Sequence, residues 1–319
     1  MEQWVVNGPK VIDVELVRSV KVGLIGGQVD IIGHDEPGAR IEVHSVSGKD
    51  LKISIDGDRL EIDHPQLRWD NFIEVFKSWR GNARADVSIM VPRDAALKFG
   101  VISASALISG LRTDARVSTV TGDVVIDAVE GDLDVNTVSG EVSIRDHRGL
   151  VKAHTVSGDI AAAGEIRRFS ADGVSGEVFV DTTGVPTAIE NNTVSGDITV
   201  RLDADTAARY NVNSVSGTLQ LGPSTITGLR GGGYNGHSGE LDRTFTEFRA
   251  NSVSGDITLL FREGEPVGAP AGESSAGASG KSSAGFSGEA SAEFSGGASG
   301  GAGGSATDSD AGSEGQAPA

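Results

Sequence analysis

Five acidic residues return at one phase of this chain, Asp123, Glu141, Asp159, Glu177 and Asp197, each directly after a glycine. Carboxylates stacked at turns are donors that calcium favours, because a hard cation takes several oxygens at once. The pattern is thin for that purpose. Calcium-binding nonapeptide coils use Gly-Gly-x-Gly-x-Asp, whereas here each turn offers one carboxylate and Thr218 interrupts the column. Calcium is therefore weighed and set behind a reading of these residues as solvated turn positions.

The other reactive side chains converge no better. The histidines, His34, His44, His64, His147, His154 and His237, occupy unrelated phases, so the converging ligands that zinc requires are not expected. Arg167 and Arg168, adjacent in GEIRRFS, read as a solvated turn. Serines recur too, but without a companion base they are strand and turn residues. Cleaving a glycosidic bond needs paired carboxyl groups at a set separation, or calcium with a basic residue, on one face. Asp159, Glu177 and Asp197 instead repeat with the chain, as scaffold residues do. No catalytic, cofactor or metal residue is assigned, and a carbohydrate-active enzyme stands as the alternative class.

What positions the acidic column is a recurring phrase: TVTGDV at 119–124, TVSGEV at 137–142, TVSGDI at 155–160, GVSGEV at 173–178, TVSGDI at 193–198, SVSGTL at 214–219 and SVSGDI at 252–257. Its glycines Gly122, Gly140, Gly158, Gly176, Gly196 and Gly217 are separated, by subtraction, by 18, 18, 18, 20 and 21 residues. Gly131 and Gly149 fall midway, so each coil holds two strand-and-turn units. Identical turns at constant period predict a parallel β-solenoid, with like residues stacked about 4.8 Å apart. Two columns are expected to form the core: Val120, Val138, Val156, Val174, Val194, Val215 and Val253, and Val124, Val142, Ile160, Val178, Ile198, Leu219 and Ile257. The glycines are expected where φ is positive or a Cβ would strike the next coil. A polar column, Ser118, Asn136, His154, Asp172, Asn192, Asn213 and Asn251, is expected to pass hydrogen bonds from rung to rung.

Residues 1–97 are rich in strands, with a hairpin turn at Asp56-Gly57, and read as an N-terminal β cap or irregular first coils. Trp69, Phe72, Phe76 and Trp79 fall in a connecting loop there. The solenoid is expected over 98–262, with GLRGGGYNGHSGELDRTF in a projecting loop. Residues 263–319 are Gly, Ser and Ala with scattered acids, a composition expected to be disordered, with Phe286 and Phe294 as weak anchors.

A formal net charge of -18 argues against nucleic acid and anionic membrane surfaces. The absence of cysteine removes disulfides and thiolate metal sites. Residues 1–30 lack a basic n-region with an apolar h-region, and no stretch reaches transmembrane length, so a cytoplasmic location is expected. The cell surface, reached by another route, is the alternative.

The tandem VSGD/E motifs, with GGQVDI and VPRDAALKF ahead of them, resemble the bacterial putative adhesin family, a domain-of-unknown-function group, over roughly residues 10–262. That resemblance implies a right-handed parallel β-helix and brings no catalytic residues with it. Together these readings give a non-enzymatic scaffold without cofactor. It would meet a protein or envelope component through its flat faces and the 222–247 loop, as a cytoplasmic protein or as an exported adhesin.

Overall fold

In a computed structural model, residues 2–64, 83–222, 224–227, 232–241 and 244–262 are described. Trp69, Phe72, Phe76 and Trp79, the segment 263–319, and Phe286 and Phe294 within it lie outside the described residues. The described elements are all strands. In chain order they begin with β1 (Glu2–Val6), β2 (Lys10–Val14), β3 (Ser19–His34), β4 (Ala39–Ser47), β5 (Leu51–Asp56), β6 (Arg59–Asp63) and β7 (Arg84–Pro92). Then come β8 (Ala96–Ser109), β9 (Ala115–Thr119), β10 (Val124–Asp127), β11 (Leu133–Thr137), β12 (Val142–Thr155), β13 (Ile160–Gly173), β14 (Val178–Thr182) and β15 (Ala188–Ser195). The last are β16 (Ile198–Leu202), β17 (Ala208–Ser216), β18 (Thr218–Leu221), β19 (Ser224–Thr227), β20 (Gly232–Ser238), β21 (Thr246–Ser254) and β22 (Ile257–Phe261).

Each coil sends one strand into each of two walls. One wall stacks β9, β11, the end of β12, the end of β13 and β15, in parallel and in register: Thr119 on Thr137, Thr137 on Thr155, Thr155 on Gly173. The other stacks β10, the start of β12, the start of β13, β14 and β16, with Val124 on Val142, Val142 on Ile160, Ile160 on Val178 and Val178 on Ile198. The core fills the space between. Val124, Val142, Ile160, Val178, Ile198, Leu219 and Ile257 are all buried, as their column predicts. Where one inward position is large, as at Phe169 and Phe248, the next inward position on that strand is alanine, Ala171 and Ala250, which fills a narrow interior without strain.

The first valine column is a correction. Val120 is buried, but Val156, Val174, Val194, Val215 and Val253 are 48–54% exposed. The inward residues of that stretch are the threonines one position earlier, Thr119, Thr137 and Thr155, at 2%, 4% and 6% exposure. The cause is a bend. The strand ends at Thr119 and the next begins at Val124, so side-chain alternation does not run through the corner. Threonine suits the place because its hydroxyl closes that corner: Thr155 Oγ1 donates to the Gly158 carbonyl (2.9 Å) and accepts from the Gly158 N–H (2.8 Å). Thr119 and Thr137 do the same with Gly122 and Gly140. Glycine is needed there because a Cβ on Gly140 would stand 2.1 Å from the Gly122 carbonyl oxygen.

The start and end of the stack also depart from expectation. Parallel pairing reaches back beyond residue 98, since β3 lies along β8 from Ser19 on Ala96 to Ile32 on Ser109. Outside β3 come β6 and β7, still parallel to it, and then β5, β4, β1 and β2 in antiparallel order. The Asp56-Gly57 turn joins β5 to β6 as expected, with Gly57 at φ 63°. At the far end the 222–247 region is not a projecting loop in its described parts. β19 and β20 run antiparallel along β18 and β17. The chain then returns and inserts its last coil: β21 lies between β15 and β17, and β22 between β16 and β18.

Candidate functional site

The polar column forms the expected ladder only in its later rungs, in an order set by that insertion, while Asn136 donates to Asp134 on its own strand at 2.8 Å. His154 Nδ1 lies 3.5 Å from Asp172 Oδ2, and Asn192 Nδ2 donates to Asp172 Oδ1 at 2.8 Å. Asn251 then donates to Asn192 Oδ1 (2.7 Å) and Asn213 to Asn251 Oδ1 (2.8 Å). Each amide in the run donates to its neighbour, and Asn213 Nδ2 also reaches Asn211 Oδ1 on its own strand at 3.4 Å.

Two positions along the chain from the amides stand the exposed valines, and between the ladders the surface is hollowed. One depression of about 410 Å³ is bordered by Asn192, Asn251 and Asn213 on one side and Val194, Val253 and Val215 on the other. A second, of about 520 Å³, runs from Lys98 and Arg116 past Asn136 and His154 to Val138 and Val156. Together they make a strip that is apolar along one edge and amide-rich along the other. The apolar column extends to earlier rungs, Ile25, Ile102 and Val120, but those are buried together with Ala83. Sequence reasoning missed this strip because it placed the valines in the core.

The sequence-derived candidates resolve into structural roles. Asp159 Oδ1 accepts the N–H of Glu177 (2.8 Å), Asp197 Oδ1 that of Asp256 (2.8 Å), and Asp256 Oδ1 that of Thr218 (2.7 Å), so these carboxylates tie one coil to the next. Asp123 accepts from Glu141 in the same way at 3.2 Å. Among the described residues no group of three or more His, Asp or Glu side chains is placed to hold a metal. The motif hydroxyls also point down the stack, Ser157 Oγ donating to the Val138 carbonyl and Ser139 Oγ to that of Val120, both at 3.1 Å. Arg167 and Arg168 are exposed, and Arg168 meets Glu190 at 3.0 Å.

Two histidines are buried away from the strip. His64 accepts the Ile25 N–H on Nδ1 (3.3 Å) while Nε2 has no partner, and burial pushes its pKa down to about 4. His147 is buried at a corner with Gly164 stacked on it in the next coil, and neither ring nitrogen is hydrogen-bonded. Burial lowers its pKa as well, with the backbone of Val129 and Leu150 near enough to offset part of that fall. Near the end of the stack Arg262 pairs with Asp181 and Asp203, and Arg201 also pairs with Asp181. The hydrogen bond from Arg201, with Arg262 behind it, holds the Asp181 carboxyl below its usual range.

These features define an all-β repeat protein whose described polar residues mostly serve the stack and which carries a ladder of half-exposed valines on its surface. The chain belongs to the Toastrack DUF4097 family, which matches it over residues 25–260. None of the curated proteins compared with it matched. Among solved structures, a putative cell adhesion protein from Clostridium sporogenes is 15% identical, covers 80% of this chain and 100% of its own, and has a TM-score of 0.29. A putative lipid binding protein and a putative adhesin, both from Parabacteroides distasonis, are 13% and 11% identical, each with a TM-score of 0.40. They cover 79% and 80% of this chain and 97% and 98% of their own.

Proposed function

We propose that this protein is a non-enzymatic, adhesin-like scaffold that presents the valine and amide strip to a protein or envelope component. The observation that carries this reading is the run of half-exposed valines Val156, Val174, Val194, Val253 and Val215 beside the hydrogen-bonded ladder from Asp172 to Asn213. Contiguous apolar surface of this kind gains free energy when a partner removes it from water. The polar groups along its edge supply direction. The coil is taken as right-handed, the hand that parallel crossovers favour, and the outer antiparallel strands at both ends as caps over its edges. A cytoplasmic location, with the cell surface as the alternative, completes the reading.

The test replaces Val174, Val194 and Val253 together by threonine, which keeps the branched shape and removes the apolar surface. Binding of the parent to isolated envelope and to soluble proteins of its own cell is compared with binding of the variant. A parent that binds and a variant that does not, at equal melting temperature, supports the strip. Equal binding by both refutes it.

A further inference from the structure

The last coil is a separable part. Thr246–Phe261 follows Ala208–Leu221 in the chain yet lies between it and the coil 188–202, hydrogen-bonded in parallel on both sides. Its slot is specific. Phe248, Ala250, Ile257 and Leu259 are buried in the core, Asn251 is held between Asn192 and Asn213, and Asp256 bridges Asp197 and Thr218. Arg262, just beyond, is fixed by Asp181 and Asp203.

The neighbouring coil carries the same columns. Tyr210 aligns with Phe248, Val212 with Ala250 and Asn213 with Asn251, and Leu219 with Ile257. Ala208–Leu221 therefore matches the coil 188–202 almost as well as Thr246–Phe261 does. If the inserted segment leaves, the slot between 188–202 and Ala208–Leu221 keeps the strand edges and asparagines that held it. The segment, released, keeps every feature that fits an identical slot.

We propose that Thr246–Phe261 of one copy occupies the slot of a second copy, giving strand-exchanged dimers and higher assemblies. The partner is fixed by complementarity: the chemistry that selects this segment within a chain is the same between chains, and exchange of an identical element needs no new interface.

The chain has no cysteine, so an introduced pair reports without interference. Ser195 and Ser254 are exposed and stand opposite each other across the slot boundary, at the Cα spacing of adjacent strands, which a disulfide spans. The full chain bearing S195C and S254C is oxidised at low concentration to lock its own segment in place, or kept reduced. Both forms are then held at high concentration in mild denaturant, returned to buffer and sized by light scattering. The expected result is dimer from the reduced form and from the parent, monomer from the locked form, and a covalent dimer when the reduced dimer is later oxidised. Dimer from both forms, or from neither, overturns the proposal, as does a reduced dimer that yields only monomeric disulfides.

Discussion

Replacing Thr155 by valine and Val156 by threonine exchanges two shapes that are nearly the same, one position apart, and the structure assigns them opposite costs. Thr155 is 6% exposed and its hydroxyl satisfies both the N–H and the carbonyl of Gly158, a buried residue. In Thr155→Val both backbone groups lose that partner in a place water does not reach. Each orphaned group costs about 1–3 kcal/mol, offset in part by the better fit of a methyl group in the core, so a net loss of about 3 kcal/mol is expected. At about 2–4 °C per kcal/mol for a unit of this size, the melting temperature should fall by about 10 °C. Val156 is 48% exposed and carries no such duty, so Val156→Thr should stay within about 0.5 kcal/mol of the parent. Urea titration of the two variants and the parent, followed by far-ultraviolet circular dichroism, gives the midpoints directly. If Val156→Thr is the more damaging, or if the two are equal, the inward and outward faces of the corner have been assigned wrongly.

Three further outcomes follow from buried or bridging polar groups. His147→Val should raise stability by about 1–2 kcal/mol, because a buried ring with no hydrogen bond is replaced by an apolar side chain; thermal melts at pH 8 decide it. His64 has its folded pKa lowered to about 4 from 6.5, so below pH 6.5 the unfolded chain takes up a proton that the folded chain refuses. Stability should then fall by about 3 kcal/mol as pH drops from 6.5 to 4, and His64→Asn, which keeps an acceptor for the Ile25 N–H, should lose that part of the slope. Asp197→Ala should cost about 1 kcal/mol more than Asp197→Asn, since the Asp256 N–H needs an oxygen and not a charge; millimolar calcium should leave the melting temperature of the parent unchanged.

The repeat made much of this legible in advance. A glycine every 18 residues is a direct trace of carbonyls packed against Cα atoms, and a Cβ on Gly158 would indeed stand 2.3 Å from the Gly140 carbonyl oxygen. The amide ladder and the column from Val124 to Ile257 could be read because those residues lie within straight strand, where alternation holds. The alternation argument failed at Val156 because Thr155 ends one strand and Ile160 begins the next. Five steps around a corner reverse the parity. The order of the last coils was illegible for another reason: the rungs at Asn192, Asn213 and Asn251 are chemically alike, so nothing in their sequence says which sits on which. That is decided by the antiparallel turn-back through β19 and β20, whose composition shows no strand period.

The identity of the exposed residues is the part of the sequence that the fold does not explain. At a half-exposed corner the stack asks for a β-branched residue with restricted χ1, and threonine meets that demand as well as valine does. The chain uses threonine and serine freely on either side, at Thr155 and Ser157, at Thr193 and Ser195, at Ser252 and Ser254. Yet Val156, Val174, Val194, Val253 and Val215 hold five successive rungs, all near half exposure. In the first coils the same column is closed over, with Ile25, Ala83, Ile102 and Val120 packed as one cluster. There the apolar residues are accounted for by what they touch. Further along, the same residue type faces water, where it adds nothing to the stack that threonine would not supply and lowers solubility. A surface apolar beyond the needs of its own fold is one whose stabilisation lies in association, and the amides along its edge set the direction from which a partner must come.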